Sequence, residues 1–277
     1  MTRQDNIRVF EDTMEKCRSN ARLQKAIRDS IQRQKMYPAE AQALAPEAAC
    51  SRGGRVVVSK KRSFEAAAAY AGKKVCVLNF ASASNPGGGV THGSFAQEES
   101  LCRCSTLYPC LRQDAMWEQF YLPHRMQPNP LHTDDCIYTP GVVVLKTDEM
   151  PPQDLPEEDW LEVSVISCAA PNLRSMPSNI MNPGDGTEPV VVTDAQLEEI
   201  HTRRLRRILE IAQHEGDEVV ILGAFGCGAF MNDPVVVARA MNRVVQEYRN
   251  CFDTVEFAVY CWQDETNFKI FQSEMIE

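Results

Sequence analysis

Short apolar runs recur along the chain, separated by longer stretches of mixed character. Val75-Cys76-Val77-Leu78-Asn79-Phe80, Tyr138–Leu145, Leu161–Cys168, Val219-Val220-Ile221-Leu222 and Val255–Tyr260 have the length and flanks of buried strands. Residues 1 to about 45 read as helix: Ile7, Phe10, Met14, Cys17, Leu23 and Ile27 recur at three- and four-residue spacing among charges. Asp5 stands where a cap is needed, and Pro38 ends the pattern. Ser63–Tyr70 is an alanine-rich helical stretch stopped by Gly72, the segment 100–122 is helical, and Pro123 to Asp135 is a loop. Thr193 and Gln196 form a capping box for a helix reaching His214 and closed by Gly216. Asp233-Pro234 opens another to about Arg249, with proline at the first helical position, and Asn267–Glu274 is a short last helix.

Strands alternating with helices predict an α/β fold with a mostly parallel sheet covered on both faces. The acidic, proline-rich stretch 147–159 and the polar stretch 172–191 read as surface loops. No internal repeat or long linker divides the chain. A single domain over 1–277 is expected, with a helical extension (1–45) packed on a core (46–277).

Composition adds exclusions. Hydrophobic residues make up 44% and charged residues 24% of the 277, the mix of a globular chain with a sizeable core. The net charge of −9 argues against duplex nucleic acid as a partner, yet permits an anionic ligand held by backbone N–H groups. The eleven cysteines are scattered through apolar segments without any Cys-x-x-Cys pair, and Cys102, Cys104 and Cys110 lack zinc-site spacing. Buried, reduced thiols are expected, which indicates a reducing compartment. With no apolar signal core and no run of transmembrane length, an intracellular protein without a membrane partner is expected.

Two glycine-rich loops follow apolar strands and precede helices: Asn85-Pro86-Gly87-Gly88-Gly89 and Gly223-Ala224-Phe225-Gly226-Cys227-Gly228-Ala229-Phe230. In open α/β sheets ligands lie beyond the carboxyl ends of the strands, where glycines let backbone N–H groups approach a phosphate. Neither loop matches a Walker loop or a dinucleotide fingerprint. The first leads into Gln97-Glu98-Glu99 near a helix start. Adjacent helical side chains diverge by about 100°, so these carboxylates cannot share one task. One would serve as acid/base and the other would hold substrate, or both simply form an exposed acidic helix start favoured by the macrodipole. His92 and His201 read as exposed or structural, and Thr91 and Ser94 as turn residues. Cys227 leaves room for phosphate, and Phe230 is a better ligand contact than Phe225.

Gly87-Gly88-Gly89, seven residues, then Gln97-Glu98-Glu99, with the second loop through Asn232-Asp233-Pro234, resembles the poly(ADP-ribose) glycohydrolases of microbial type. The resemblance covers nearly the whole chain. It implies a macrodomain-like three-layer α/β/α fold and hydrolysis of ribose–ribose O-glycosidic bonds that releases ADP-ribose. It also implies Glu99 as catalytic acid/base, with Glu98 and Asn85 on the scissile ribose. Gly87, Gly88, Gly89 and Gly226-Cys227-Gly228 would hold the diphosphate, with Gln97, Ala229 and Phe230 against the ligand. No metal and no cofactor are implied. The partners would be poly(ADP-ribose) and ADP-ribosylated proteins, and the chain would act as a monomer. Hydrolysis of single ADP-ribose units from proteins, or reading ADP-ribose without cutting it, are the rival activities. A helix N-terminus lowers a carboxyl pKa by less than about one unit, so Glu99 is expected to hold its proton mainly in the substrate complex.

Overall fold

The computed structural model describes residues 1–40, 44, 51–179 and 183–275. The described elements run α1 (Arg3–Ser19), α2 (Ala21–Arg33), β1 (Lys35–Tyr37), β2 (Arg55–Ser59), α3 (Ser63–Ala68), β3 (Val75–Phe80) and α4 (Gln97–Cys104). There follow α5 (Leu107–Leu111), α6 (Asp114–Met116), α7 (Leu122–Met126), β4 (Cys136–Val144) and β5 (Leu161–Cys168). The chain then forms α8 (Asp194–His214), β6 (Val219–Leu222), α9 (Pro234–Tyr248), β7 (Thr254–Ala258) and α10 (Thr266–Met275).

The sheet has seven strands in the order β1-β4-β5-β3-β6-β7-β2. From β5 to β2 all neighbours are parallel, while β4 is antiparallel to both β5 and β1. Strand β3 lies in the middle, which explains its unbroken apolar run, because each face must be covered. Cys76 and Leu78 face a core with α8, α9 and α10 (Leu205, Val237, Phe271). Val75 and Val77 face the opposite core with α3, α4 and α5 (Phe64, Leu101, Leu107). The layers are therefore helix, sheet, helix.

The extension differs from its expectation. It is not helical throughout: α1 and α2 are followed by β1, which adds a strand to the edge of the sheet. The boundary at residue 45 lies outside the described residues. Thr2, not Asp5, is the N-cap of α1; Asp5 is its partner in a capping box. Phe10 joins the core beneath α3, α4 and α5, and Cys17 and Leu23 pack with Val143 and Leu145 of and beside β4.

Two further expectations are corrected. The segment 100–122 is not one helix: the Thr106 N–H donates to Val143 O and the Val143 N–H donates to Thr106 Oγ1, so its backbone bonds divert to β4. Nor are all the cysteines thiols. Among the described residues nine are free, but Cys251 is in a disulfide.

Asp217 illustrates the cost of burial. Tyr138 Oη donates to its carboxyl at 3.2 Å, and desolvation pushes its pKa up to about 7. The unfolded carboxyl titrates near 4. The native state therefore holds an extra proton between these values, and stability falls as pH rises from about 4 to 7. Asp217→Asn should flatten that slope. Melting temperatures at pH 5 and pH 8 would then differ less in the variant than in wild type, and an unchanged difference would rule out Asp217 as the cause.

Candidate active site

The two glycine-rich loops sit at the carboxyl ends of β3 and β6, which are hydrogen-bonded neighbours. With the segments after β7 and β2 they frame a cleft of about 570 Å³. Helix α4 starts at the cleft with Ala96 as N-cap, and both Glu98 and Glu99 are buried there. They are not an exposed acidic helix start.

Burial holds because each carboxyl has donors. Glu98 is bonded on both oxygens: Ser82 N–H donates to Oε2 at 2.8 Å and Asn79 Nδ2 to Oε1 at 3.2 Å. Glu99 accepts the Gly89 N–H on Oε1 at 2.8 Å, while its Oε2 is buried without a partner. Desolvation raises both carboxyls above the ordinary range; the charge on Glu99 raises Glu98 further, and the bonds from Ser82 and Asn79 pull it down. For Glu99 desolvation outweighs the Gly89 bond without any ligand, so the expected dependence on bound substrate is not needed.

The divergence of adjacent helical side chains is offset by the loop, which folds between them. A methyl on Gly88 would lie 2.5 Å from Glu99 Oε1 and 2.9 Å from Glu98 Oε2. Both carboxyls thus converge on one glycine with φ of +57°.

The remaining expected residues divide into two groups. Gly88, Gly89, Gln97, Gly226, Gly228, Ala229 and Phe230 line the cleft with the two glutamates; Asn85, Gly87 and Cys227 do not. Asn85 Nδ2 bonds Gly88 O, so it braces the loop. Gly87 packs under the Tyr108 ring, and Cys227 Sγ faces Phe225 O at 3.7 Å, with burial raising its pKa. Gln97 lines the cleft, but its amide is fully engaged. It donates to Leu78 O (2.8 Å) and Ser63 Oγ (3.0 Å) and accepts the Phe80 N–H (2.9 Å), pinning the start of α4 to the end of β3. Gly228 has open space where a side chain would stand, as a close backbone approach to a ligand requires.

Phe225 is wholly buried, whereas Phe230 is partly exposed with the Arg174 guanidinium 5.5 Å from its ring centre. His92 is exposed. His201 is structural: it is buried, bonds Asn232 Oδ1 at 2.7 Å, and desolvation lowers its pKa to about 4. Asn232, quoted in the motif without a role of its own, donates from Nδ2 to Pro171 O and Phe230 O and so shapes the second loop. Sequence reasoning missed the rim made by Arg62, Tyr260, Phe95 and Arg174. Arg62 lies 3.7 Å over the Tyr260 ring. Among the described residues, no three His, Cys, Asp or Glu side chains are grouped to hold a metal ion, and no helix is long and apolar enough to cross a membrane.

Paired buried carboxyls beside backbone-lined loops at the carboxyl edge of a mixed sheet fit the macrodomain-like, glycosidic-bond-cleaving site that the sequence resemblance implies. Residues 5–147 match the family profile described as the microbial-type PARG catalytic domain. The chain belongs to that family, the poly(ADP-ribose) glycohydrolases of microbial type. The fold is similar to poly(ADP-ribose) glycohydrolase from Thermomonospora curvata bound to the inhibitor ADP-HPD, with 29% identity and a TM-score of 0.81 over 98% of this chain and 99% of that one. A glutamate-to-alanine mutant of that enzyme gives 30% identity and 0.81, with the same coverage. The Deinococcus radiodurans enzyme in complex with ADP-ribose gives 29% identity and 0.75 over 90% of this chain and 96% of that one. A search of curated proteins gives no match.

Proposed function

We propose that this chain hydrolyses the ribose–ribose O-glycosidic bond of poly(ADP-ribose), with Glu99 as acid/base and Glu98 fixing the scissile ribose. The observation that carries this assignment is the difference between the two carboxyls. Glu98, bonded on both oxygens by Ser82 and Asn79, is held in place beside the ribose hydroxyls, although burial and its neighbour push its pKa well up. Glu99 has one oxygen buried without a partner, so burial holds it in the acid form with a proton that no protein acceptor claims and that is free to pass to substrate. Glu99 gives that proton to the departing ribose oxygen as the C1–O bond breaks and an oxocarbenium-like ribose forms. Water then attacks C1 and returns a proton to Glu99, giving ADP-ribose and a polymer one unit shorter. The test is release of ADP-ribose from poly(ADP-ribose) by wild type and Glu99→Gln, with a mono-ADP-ribosylated protein as the competing substrate. Turnover of the latter alone would replace this reading with the mono-ADP-ribosyl one, and binding without turnover would make the chain a reader.

Strand order supports a direction for the ligand. Neighbouring strands lie about 4.8 Å apart, so the ends of β3, β6, β7 and β2 present the carboxyl pair, the Gly226–Phe230 loop, Tyr260 and Arg62 in succession. A reacting ribose at Glu99 and a diphosphate at the backbone of Gly226 and Gly228 leave the adenosine for the Tyr260–Arg62 end. Tyr260→Ala should weaken ADP-ribose binding about tenfold, in line with roughly 1–3 kcal/mol for base stacking, with kcat little changed. Calorimetry checks this, and an unchanged Kd would reverse or shift the ligand.

The domain reading is one catalytic unit over 1–277, supported by Phe10, Cys17 and Leu23 in the cores. A cytoplasmic or nuclear location is supported by the nine free cysteines among the described residues, against which stands the one disulfide at Cys251. Cell fractionation tests it, and recovery outside these compartments would refute it.

A further inference from the structure

We infer that helix α1 is part of the catalytic apparatus, with Asn6 as a positioning residue for Glu99. This rests on the acid/base reading of Glu99 given above. Asn6 is completely buried, and its Nδ2 donates to Gly93 O at 2.9 Å and to Ser94 O at 3.4 Å. These carbonyls belong to the turn that returns the first glycine-rich loop to α4. From there the bonds continue inward: the Ser94 N–H donates to Gly89 O at 3.2 Å, and the Gly89 N–H donates to Glu99 Oε1 at 2.8 Å. One buried amide on α1 is therefore three hydrogen bonds from the carboxyl that reacts.

Three other contacts clamp the same loop to the same helix. A side chain at Gly93 would meet Arg3 O at 2.2 Å, so the loop touches the first turn of α1 backbone to backbone. Phe10 meets Tyr108 in a T-shaped contact, centroids 4.9 Å apart, and Tyr108 is the ring beneath Gly87. Thr13 Oγ1 donates to Arg103 O at 2.5 Å, and Arg103 Nη1 donates to Ser94 O at 2.6 Å. Asn6, Phe10 and Thr13 recur at i, i+4 and i+7, one stripe of the helix. That stripe faces the loop and α4 together. It fixes the distance between the Gly89 N–H and Glu99, and a shift of about 1 Å at a reacting group can cost on the order of a hundredfold in rate.

The test is Asn6→Ala in the full chain, assayed on poly(ADP-ribose), with ADP-ribose binding by calorimetry. Ser30→Ala serves as control: Ser30 Oγ is a buried side chain that donates to Gly141 O at 2.9 Å, on α2 and away from the cleft. The expected result is a kcat at least tenfold lower with KM and the ADP-ribose Kd within threefold of wild type. Ser30→Ala should keep its kcat despite a comparable fall in melting temperature. In a Glu99→Gln background, Asn6→Ala should change the residual rate less than threefold. A kcat within threefold of wild type overturns the inference, as does a proportionate loss of kcat and binding, or an equal loss in Ser30→Ala. If Asn6→Ala does not fold, Asn6→Ser is judged by the same thresholds. A Glu99→Gln enzyme with wild-type turnover refutes the acid/base reading itself. An inactive Glu99→Gln beside an unimpaired Asn6→Ala refutes only the positioning role.

Discussion

Glu99→Gln should lower kcat on poly(ADP-ribose) by about 10²- to 10⁴-fold, the usual contribution of a positioned proton donor, while ADP-ribose binding stays within about threefold. Glutamine keeps the shape of the side chain and loses only the transferable proton. On the proposed role of Glu99 as proton donor, wild-type kcat should fall as pH rises through its raised pKa. The residual rate of the variant should show no such limb. The raised pKa also makes an ionised Glu99 a liability to the fold, since the native state gives up stability as pH climbs above the unfolded carboxyl's value. Glu99→Gln should therefore melt no lower than wild type at pH 8. Steady-state kinetics across pH and thermal melts test these statements, and a variant within tenfold of wild-type kcat would remove Glu99 from the acid/base role.

Gly88→Ala should be nearly as damaging, for a steric reason. At φ of +57° an alanine sits in the left-handed region, at a cost of about 1–2 kcal/mol. Its methyl would lie 2.5 Å from Glu99 Oε1 and 2.9 Å from Glu98 Oε2. Either the loop moves or both carboxyls do, and in each case the Gly89 N–H is drawn off Glu99. We expect kcat down about a hundredfold and ADP-ribose affinity at least tenfold weaker, with unchanged far-ultraviolet circular dichroism. Glu99→Gln spares binding; Gly88→Ala should not. Near-normal binding by Gly88→Ala would mean that the loop is not the ligand's cradle.

Period-2 and period-3.6 patterns carried most of the architecture, because central strands and amphipathic helices are set by burial. Strands β3, β5 and β6 fall where their apolar runs lie. What escaped was structure decided by a partner in space. Lys35–Tyr37 has three residues and no alternation; it is a strand because β4 offers an unpaired edge. Val56-Val57-Val58 carried a readable β-branched signal beside Gly53-Gly54, but the segment is only half-buried and short.

The site was legible to a similar degree. The glycines and the glutamate pair could be found by pattern, yet their convergence could not, since it arises from the loop folding back between two side chains that a helical wheel separates. Gln97 shows the same limit from the other side. Its position suggests a ligand contact, while its amide is consumed by Leu78, Ser63 and Phe80. The rim residues Arg62 and Tyr260 are far apart in sequence and meet only because β2 and β7 are neighbours.

The short strand β1 has one more consequence. Strand β4 is buried along its whole length, and β1 pairs with its Cys136–Tyr138 end on the outer side. A fragment cut to the core alone would uncover a row of backbone donors and acceptors on an apolar strand, the kind of template on which further chains add. The shortest soluble form of this enzyme is therefore set by sheet termination rather than by the catalytic residues, and its amino-terminal limit falls before Lys35.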